Sequence, residues 1–253
     1  RGEGIFFVLA ITLIFFIIGS LIGSYHFEFW ANLPSFKPVS LLNIFSKINT
    51  ILIQLSALGL IYYLISKMEF NRNNKINHND IISNPSHNLI RGPWPLLWGS
   101  ISLVFFSFLM LQVAGHPWSV TFAFGLWGAK IASFLGVEVS SWTYWQLEYP
   151  STALENSVLA DPTTVSNIGI ILGALIGSAL SGKITKFTSV NKKLVLAAVI
   201  GGLFMGYGAR LAFGCNIGAL FGGIASGSLH GWVWFLFAFL GSIVGVKFRK
   251  YFY

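Results

Sequence analysis

An all-α, polytopic membrane helical bundle is the fold class that this sequence predicts, on three observations. Of its 253 residues, 55% are hydrophobic and 9% charged, against roughly 25% charged in an ordinary soluble domain. The mean hydropathy is +0.71. The apolar residues come in blocks of about twenty, enough helix to cross roughly 30 Å of hydrocarbon; a membrane barrel would show alternating strands of about ten.

The blocks predict six spans, at 5–23, 48–66, 94–114, 165–181, 194–213 and 231–247. Residues 1–253 read as one integral membrane domain, and the polar, Asn-rich stretch 67–93 as its water-exposed loop. Arg1 stands where a start methionine would, and no basic flank or cleavage site marks a signal peptide, so a segment is expected upstream.

Two further segments, 115–135 (GHPWSVTFAFGLWGAKIASFL) and 214–230 (GCNIGALFGGIASGSLH), are apolar but short or broken by Gly, Pro and Ser. They predict re-entrant half-helices buried in protein, and their similar positions after complete spans suggest a pseudo-symmetric repeat. Gly202, Gly206, Gly214, Gly218 and Gly222 fall on a four-residue spacing with Arg210 in the gap, and Gly223, Gly227 and Gly231 form a second row. Such rows let helices approach closely in lipid.

Loop charge sets the expected orientation. Lys67, Arg72, Lys75 and Arg91 lie in one loop, Lys183, Lys186, Lys192 and Lys193 in another, and Lys247, Arg249 and Lys250 in the tail, all on one side of six spans. By the positive-inside rule that side is the cytoplasm, which makes 67–93 a cytoplasmic loop and puts both ends of the chain inside. The opposite side receives 138–161, with Glu138, Glu148, Glu155 and Asp161, half of the acids in the chain. The net charge of +8 is thus a topology signal, and no nucleic-acid partner is expected. No cofactor-binding motif or phosphate loop is present, and no cofactor is expected.

Several residues could carry chemistry. Arg210 lies near the outer end of a span, and a charge at a helix centre costs about 2.5–3.5 kcal/mol on insertion scales. No Asp or Glu occurs from Pro162 to Tyr253, so an anionic ligand would supply the missing charge; the alternative is an arginine snorkelling to the interface. Lys130 makes a similar case in the other interrupted segment, with Glu138 its nearest acid. His116, ahead of Pro117 and Trp118, could cap a half-helix or offer a donor. Cys215, the single cysteine, cannot form an internal disulfide. Bracketed by Gly214 and Asn216 at a break before a short helix, it stands where amide donors and a dipole end would meet an anion. A neutral thiol there would give a weak, soft hydrogen bond suited to a terminal sulfur atom; otherwise Cys215 only packs. Nucleophilic Cys–His chemistry would need His116 or His230 within reach.

The stretch GYGARLAFGCNIGALFGGIASGSLHGWVWFLFAFLGSIVG at 206–245 resembles the signature of the YeeE/YedE sulfur-transport family, and GHPWSVTFAFGLWGAK at 115–130 resembles a second block of it. The resemblance implies a bacterial inner-membrane importer of a small inorganic sulfur anion, thiosulfate first among substrates. It implies two pseudo-symmetric halves whose re-entrant helices meet near mid-membrane, and cysteines that pass the ion along. Cys215 falls on the motif cysteine of the C-terminal half. Family members usually carry another cysteine nearer the N-terminus, which this chain lacks, and Ser119 could offer a hydroxyl in the other block. The outer mouth would be formed by 115–130 and 208–230, including Ser226 and Ser228. Some relatives are linked to selenium metabolism or to a small cytoplasmic sulfur-carrier protein. A protein that carries a persulfide on Cys215, and a scaffold subunit held by its glycine rows, are the competing classes.

Overall fold

In a computed structural model, residues 5–34, 37–73, 95–180 and 191–252 are described. Among the described residues, six helices are long and apolar enough to cross a membrane: α1 (Ile5–Tyr25), α3 (Lys47–Asn73), α4 (Leu96–Ala114), α7 (Pro162–Leu180), α8 (Lys192–Leu211) and α10 (Leu229–Phe252). They coincide with the six expected spans, several running a turn or two further. Most of the predicted loop 67–93 lies outside the described residues, and its first part, 67–73, continues α3 as helix. The short helices are α2 (Phe27–Ala31), α5 (Thr121–Phe134), α6 (Glu148–Glu155) and α9 (Gly223–Ala225), the last preceded by a π-helical turn, Asn216–Gly222.

Helices α1 and α8 form the most extensive pair, and glycine makes it possible. A β-carbon on Gly202 would stand 2.6 Å from the Thr12 carbonyl oxygen, one on Gly206 2.0 Å from that of Phe16, and one on Gly19 2.2 Å from that of Leu203. Backbones that approach this closely gain dispersion contacts that lipid does not offer them. The contacts advance together along both helices, so α1 and α8 run parallel, as first and fifth crossings of an alternating bundle do. The expected glycine row therefore serves packing at Gly202 and Gly206. It breaks at Leu211, where α8 ends, and Gly214 onward belongs to a different segment.

The segment 115–135 folds as a break followed by α5. Gly115, at φ 71°, ends α4 in the left-handed conformation that glycine adopts at no steric cost. At 14 residues, α5 is about 21 Å long, short of a bilayer's hydrocarbon thickness. It is also the most enclosed helix: Ala123, Leu126 and Ala129 are completely buried. Leu126 and Ala129, with Phe122 and Ala132, pack on Val139, Tyr144, Trp145 and Ala153 of the connection 138–161. A β-carbon on Gly128 would meet Ile17 at 2.8 Å, so α5 nests against α1. A half-helix with half of its residues buried in protein is a form in which a non-spanning segment survives at membrane depth.

Helices α3, α4 and α10 behave differently. No residue of α4 is buried, and Leu103, Phe105, Phe106 and Phe108 on it, like Phe237 and Phe239 on α10, are more than half exposed. Apolar side chains displayed on every face of a helix require an apolar solvent, which the bilayer provides.

Candidate functional site

Arg210 is the penultimate residue of α8 and is 5% exposed. Its Nη2 donates to Ser20 Oγ on α1 at 2.9 Å. The guanidinium carbon lies 4.1 Å from the centre of the Tyr144 ring and 5.5 Å from that of Trp145. Stacking on an aromatic face is worth about 0.5–2 kcal/mol, short of what a carboxylate would contribute. Among the described residues no carboxylate pairs with Arg210, and its Nε is buried without a hydrogen-bond partner. Such a donor costs about 1–3 kcal/mol or more when charged.

The guanidinium forms one wall of a cavity of about 340 Å³. Around it stand Ser20 of α1, Phe213 just beyond α8, Tyr144 and Tyr149 of the connection, and Thr163 of α7. The break before α5 supplies His116 and Ser119. Two turns of sequence far from Arg210 thus complete its surroundings. The Nε2 of His116, a residue of the cavity wall, and the Nε1 of the nearby Trp118 are likewise buried and unpartnered.

The carboxylate expected on the outer side, Asp161, is 4% exposed. It does not face Arg210. Its Oδ2 accepts from Thr163 Oγ1 (2.5 Å), Thr164 N (2.8 Å) and Thr164 Oγ1 (2.8 Å), and its Oδ1 from Tyr149 OH (2.8 Å). Asp161 is therefore the N-cap of α7, with Pro162 at the first helical position. Burial, and then the hydrogen bond and charge of Asp161, push the Tyr149 phenol well above its usual range.

The second interrupted segment reaches the same place from the other side. After α8, Phe213 adopts φ 51°, a left-handed conformation that costs a non-glycine residue about 1–3 kcal/mol. Gly214 follows, and a β-carbon on it would stand 2.7 Å from the Ala219 nitrogen. This turn delivers Cys215, which is half-buried, to the head of the π-helical turn. Its carbonyl accepts from Ala219 N (2.8 Å) and Leu220 N (3.2 Å), and the amides of Asn216, Ile217 and Gly218 precede these bonds. A β-carbon on Gly218 would contact the Trp118 carbonyl at 3.9 Å and Ser119 Oγ at 4.0 Å. The two interrupted segments meet here.

A family model described as sulphur transport matches residues 2–244. The chain belongs to the sulphur-transport family. The chain is 31% identical over 136 residues to the probable transporter YedE of Escherichia coli (strain K12), a match covering 54% of this chain and 33% of that protein. It is 32% identical over 136 residues to the probable transporter YedE of Salmonella typhimurium (strain LT2), with the same coverage. It is 40% identical over 85 residues to the thiosulfate transporter TsuA of Spirochaeta thermophila, covering 33% of this chain and 26% of TsuA. The matched stretches thus span a third or less of these relatives' own length. No solved structure matches the chain.

The residues singled out from sequence divide into three groups. Arg210, His116 and Ser119 line one cavity. Gly214, Cys215 and Asn216 are not among the residues that line it; they follow Phe213, which does, and precede Gly218, where a β-carbon would stand 4.0 Å from Ser119 Oγ. Lys130, Ser226 and Ser228 are engaged elsewhere. Lys130 Nζ donates to the Leu154 and Asn156 carbonyls, the latter at 2.8 Å, which ties the end of α6 to α5. Ser226 Oγ donates to the Gly223 carbonyl at 3.0 Å, and Ser228 pairs with Ser40 in an isolated bridge while its Oγ accepts from His230 N at 3.3 Å. Ser20, Tyr144, Tyr149 and Thr163 were not foreseen; they lie on four different elements, and no local pattern connects them. The Asp-Pro-Thr-Thr capping signature at 161–164 is the one signal that could have pointed to Asp161 and Thr163.

Proposed function

We propose that this protein imports a small sulfur-containing anion, thiosulfate before others, through the cavity beside Arg210. The observation that carries this reading is a nine-tenths buried arginine that has an aromatic face and a hydroxyl but, among the described residues, no carboxylate for company. An anion is the partner that such a site lacks. The family's sulphur-transport description and a relative named as a thiosulfate transporter support the choice of sulfur chemistry.

The anion enters from the side that holds 138–161, where Ser119 and His116 offer polar contacts, and is drawn to Arg210. Cys215, at the junction of the two interrupted segments, then touches the terminal sulfur through a neutral S–H. A soft, weak donor permits release where strong donors would retain the ion. The loop charges orient the protein in a bacterial inner membrane with both described ends inside. A small sulfur-carrier protein on the cytoplasmic side is a partner to which the ion could be passed.

Uptake of labelled thiosulfate tests this reading in a strain without other thiosulfate importers, expressing the gene from its natural start codon. Uptake that disappears in Arg210→Ala and falls in Cys215→Ser at equal membrane expression is the expected result. Absence of uptake by the unaltered protein would remove thiosulfate as substrate.

A further inference from the structure

We propose that Thr121 decides which anions the cavity accepts: its hydroxyl, one helical turn from the Arg210 guanidinium, holds an oxygen of the ligand, so that oxyanions of sulfur are favoured over sulfide-type anions, which have no oxygen. The inference rests on the anion reading of the cavity given above and names the chemical class that the site selects.

Hydroxyls in these helices commonly turn back onto their own backbone. Thr12 Oγ1 donates to the Val8 carbonyl at 2.8 Å, Ser100 Oγ to that of Leu96 at 2.9 Å and Ser242 Oγ to that of Ala238 at 2.8 Å. A hydroxyl in an apolar helix satisfies itself in this way. Thr121 is different. As the first residue of α5 it has no helical turn before it, and the Pro117 carbonyl, four residues back, already lies 2.9 Å from His116 Nδ1. Among the described residues the Thr121 hydroxyl has no hydrogen-bond partner. The residue is half-buried and lines the cavity, and its oxygen is not sealed off as the side-chain nitrogens of His116 and Trp118 are.

The other hydroxyls of the wall are engaged or turned elsewhere. Those of Tyr149 and Thr163 donate to Asp161 at 2.8 and 2.5 Å, and Ser20 Oγ accepts from Arg210 Nη2. Tyr144 gives its ring face to the guanidinium. Ser119 stands toward the second interrupted segment, where a β-carbon on Gly218 would lie 4.0 Å from its Oγ.

Register along α5 puts Thr121 beside the cation. Residues four apart share a helix face, with β-carbons about 5–6 Å from each other. Four residues after Thr121 comes Gly125, where a β-carbon would stand 1.5 Å from Arg210 Nη2. The hydroxyl and the guanidinium are thus separated by roughly one helical turn, about 5 Å. A tetrahedral sulfonyl group offers an oxygen to each of them. Charge-assisted bonds to oxygen are short and strong, and the guanidinium fork matches paired oxygens. Sulfur, by contrast, is a weak acceptor. Arg210 attracts any small anion, and Thr121 adds the discrimination.

The test is equilibrium binding of thiosulfate, sulfite and hydrosulfide to the purified protein, expressed from its natural start codon, unaltered and as Thr121→Val and Thr121→Ser. Valine keeps the branched shape and removes the hydroxyl; serine keeps the hydroxyl. The unaltered protein should prefer the two oxyanions to hydrosulfide by about tenfold or more. Thr121→Val should lose about tenfold in oxyanion affinity, the scale of one hydrogen bond to a charged group, and Thr121→Ser should retain it. Hydrosulfide should bind equally to all three proteins. Oxyanion binding undiminished in Thr121→Val overturns the proposal, and so does an equal loss in Thr121→Ser, which would trace the effect to packing of the methyl group. If the valine variant does not fold, hydrosulfide bound by the unaltered protein as tightly as thiosulfate overturns it as well. Binding of none of the three anions by the unaltered protein strikes the anion reading itself, a result distinct from binding that ignores Thr121.

Discussion

Gly125 on α5 leaves the space that the Arg210 guanidinium of α8 fills: a β-carbon there would stand 1.5 Å from Nη2 and 2.9 Å from Ser20 Oγ. A single missing methyl group thus lets three helices converge on one cation. Gly125→Ala should push the guanidinium off both Ser20 and the Tyr144 ring. Overpacking of this kind costs about 1–3 kcal/mol. Thermal unfolding in detergent should show that loss, and thiosulfate binding should weaken by about tenfold or more. An unchanged affinity would mean that Arg210 does not touch the anion.

Arg210→Lys keeps the charge and removes the planar fork. Lysine cannot at once reach Ser20 and lie flat on Tyr144. With one charge-assisted hydrogen bond worth about 1.5–3 kcal/mol, affinity should drop about 10- to 100-fold. Equilibrium binding in detergent reads this directly, and equal binding by both proteins would refute a bidentate role.

The thiol contact of Cys215 is weak, so its loss should be small and selective. Cys215→Ala should reduce thiosulfate transport about three- to tenfold, the scale of one ordinary hydrogen bond. Competition by sulfate should not change, because sulfate has no terminal sulfur to meet the thiol. An equal loss for both anions would make Cys215 a packing residue.

Lys130 acts on the cavity through α6, whose Tyr149 and Pro150 form part of its wall. Lysine at a helix C-terminus satisfies carbonyls that have no intrahelical partner. Lys130→Met should release that end, and amide hydrogen exchange over 148–156 should accelerate by about 10- to 100-fold, the equivalent of about 1.5–3 kcal/mol of charge-assisted hydrogen bonding. Protection unchanged in this stretch would show that packing alone holds α6.

Tyr149 supplies an alkaline limit. Its phenol titrates above the usual range in the folded protein because of burial and then the bond to Asp161. The folded state therefore holds this proton more tightly than the unfolded chain does. The stability it contributes is complete below about pH 10 and is lost as pH rises from there. Denaturation followed against pH should show a steeper alkaline fall in the unaltered protein than in Tyr149→Phe; parallel curves would contradict the linkage.

The sequence's apolar blocks made the six long helices legible, because a helix in lipid must be apolar over its whole length whatever its neighbours are. The breaks at Gly115 and Gly214 were legible for a related reason: backbone that leaves the helix needs residues that tolerate unusual angles or close approach. The part of the cavity on the two motif blocks, Arg210, His116 and Ser119, could be named in advance by residue type and missing counter-charge. Lys130 looked equivalent by that criterion, yet it is bound to carbonyls of α6. A lysine short of a carboxylate in sequence can still find neutral acceptors in space, and only the fold reveals them.

Composition, block length and loop charge by themselves determined that this is a helical membrane protein with a cation lacking a local acid, since these are properties of single segments in a low-dielectric solvent. Which groups stand around that cation was decided by tertiary structure alone. Ser20, Gly125, Tyr144, Tyr149 and Thr163 come from separate elements, and their convergence depends on glycines of α1, α5 and α8 that allow backbones to close to contact. Segment properties are written locally; a cavity is made from distances between segments, and those follow from packing.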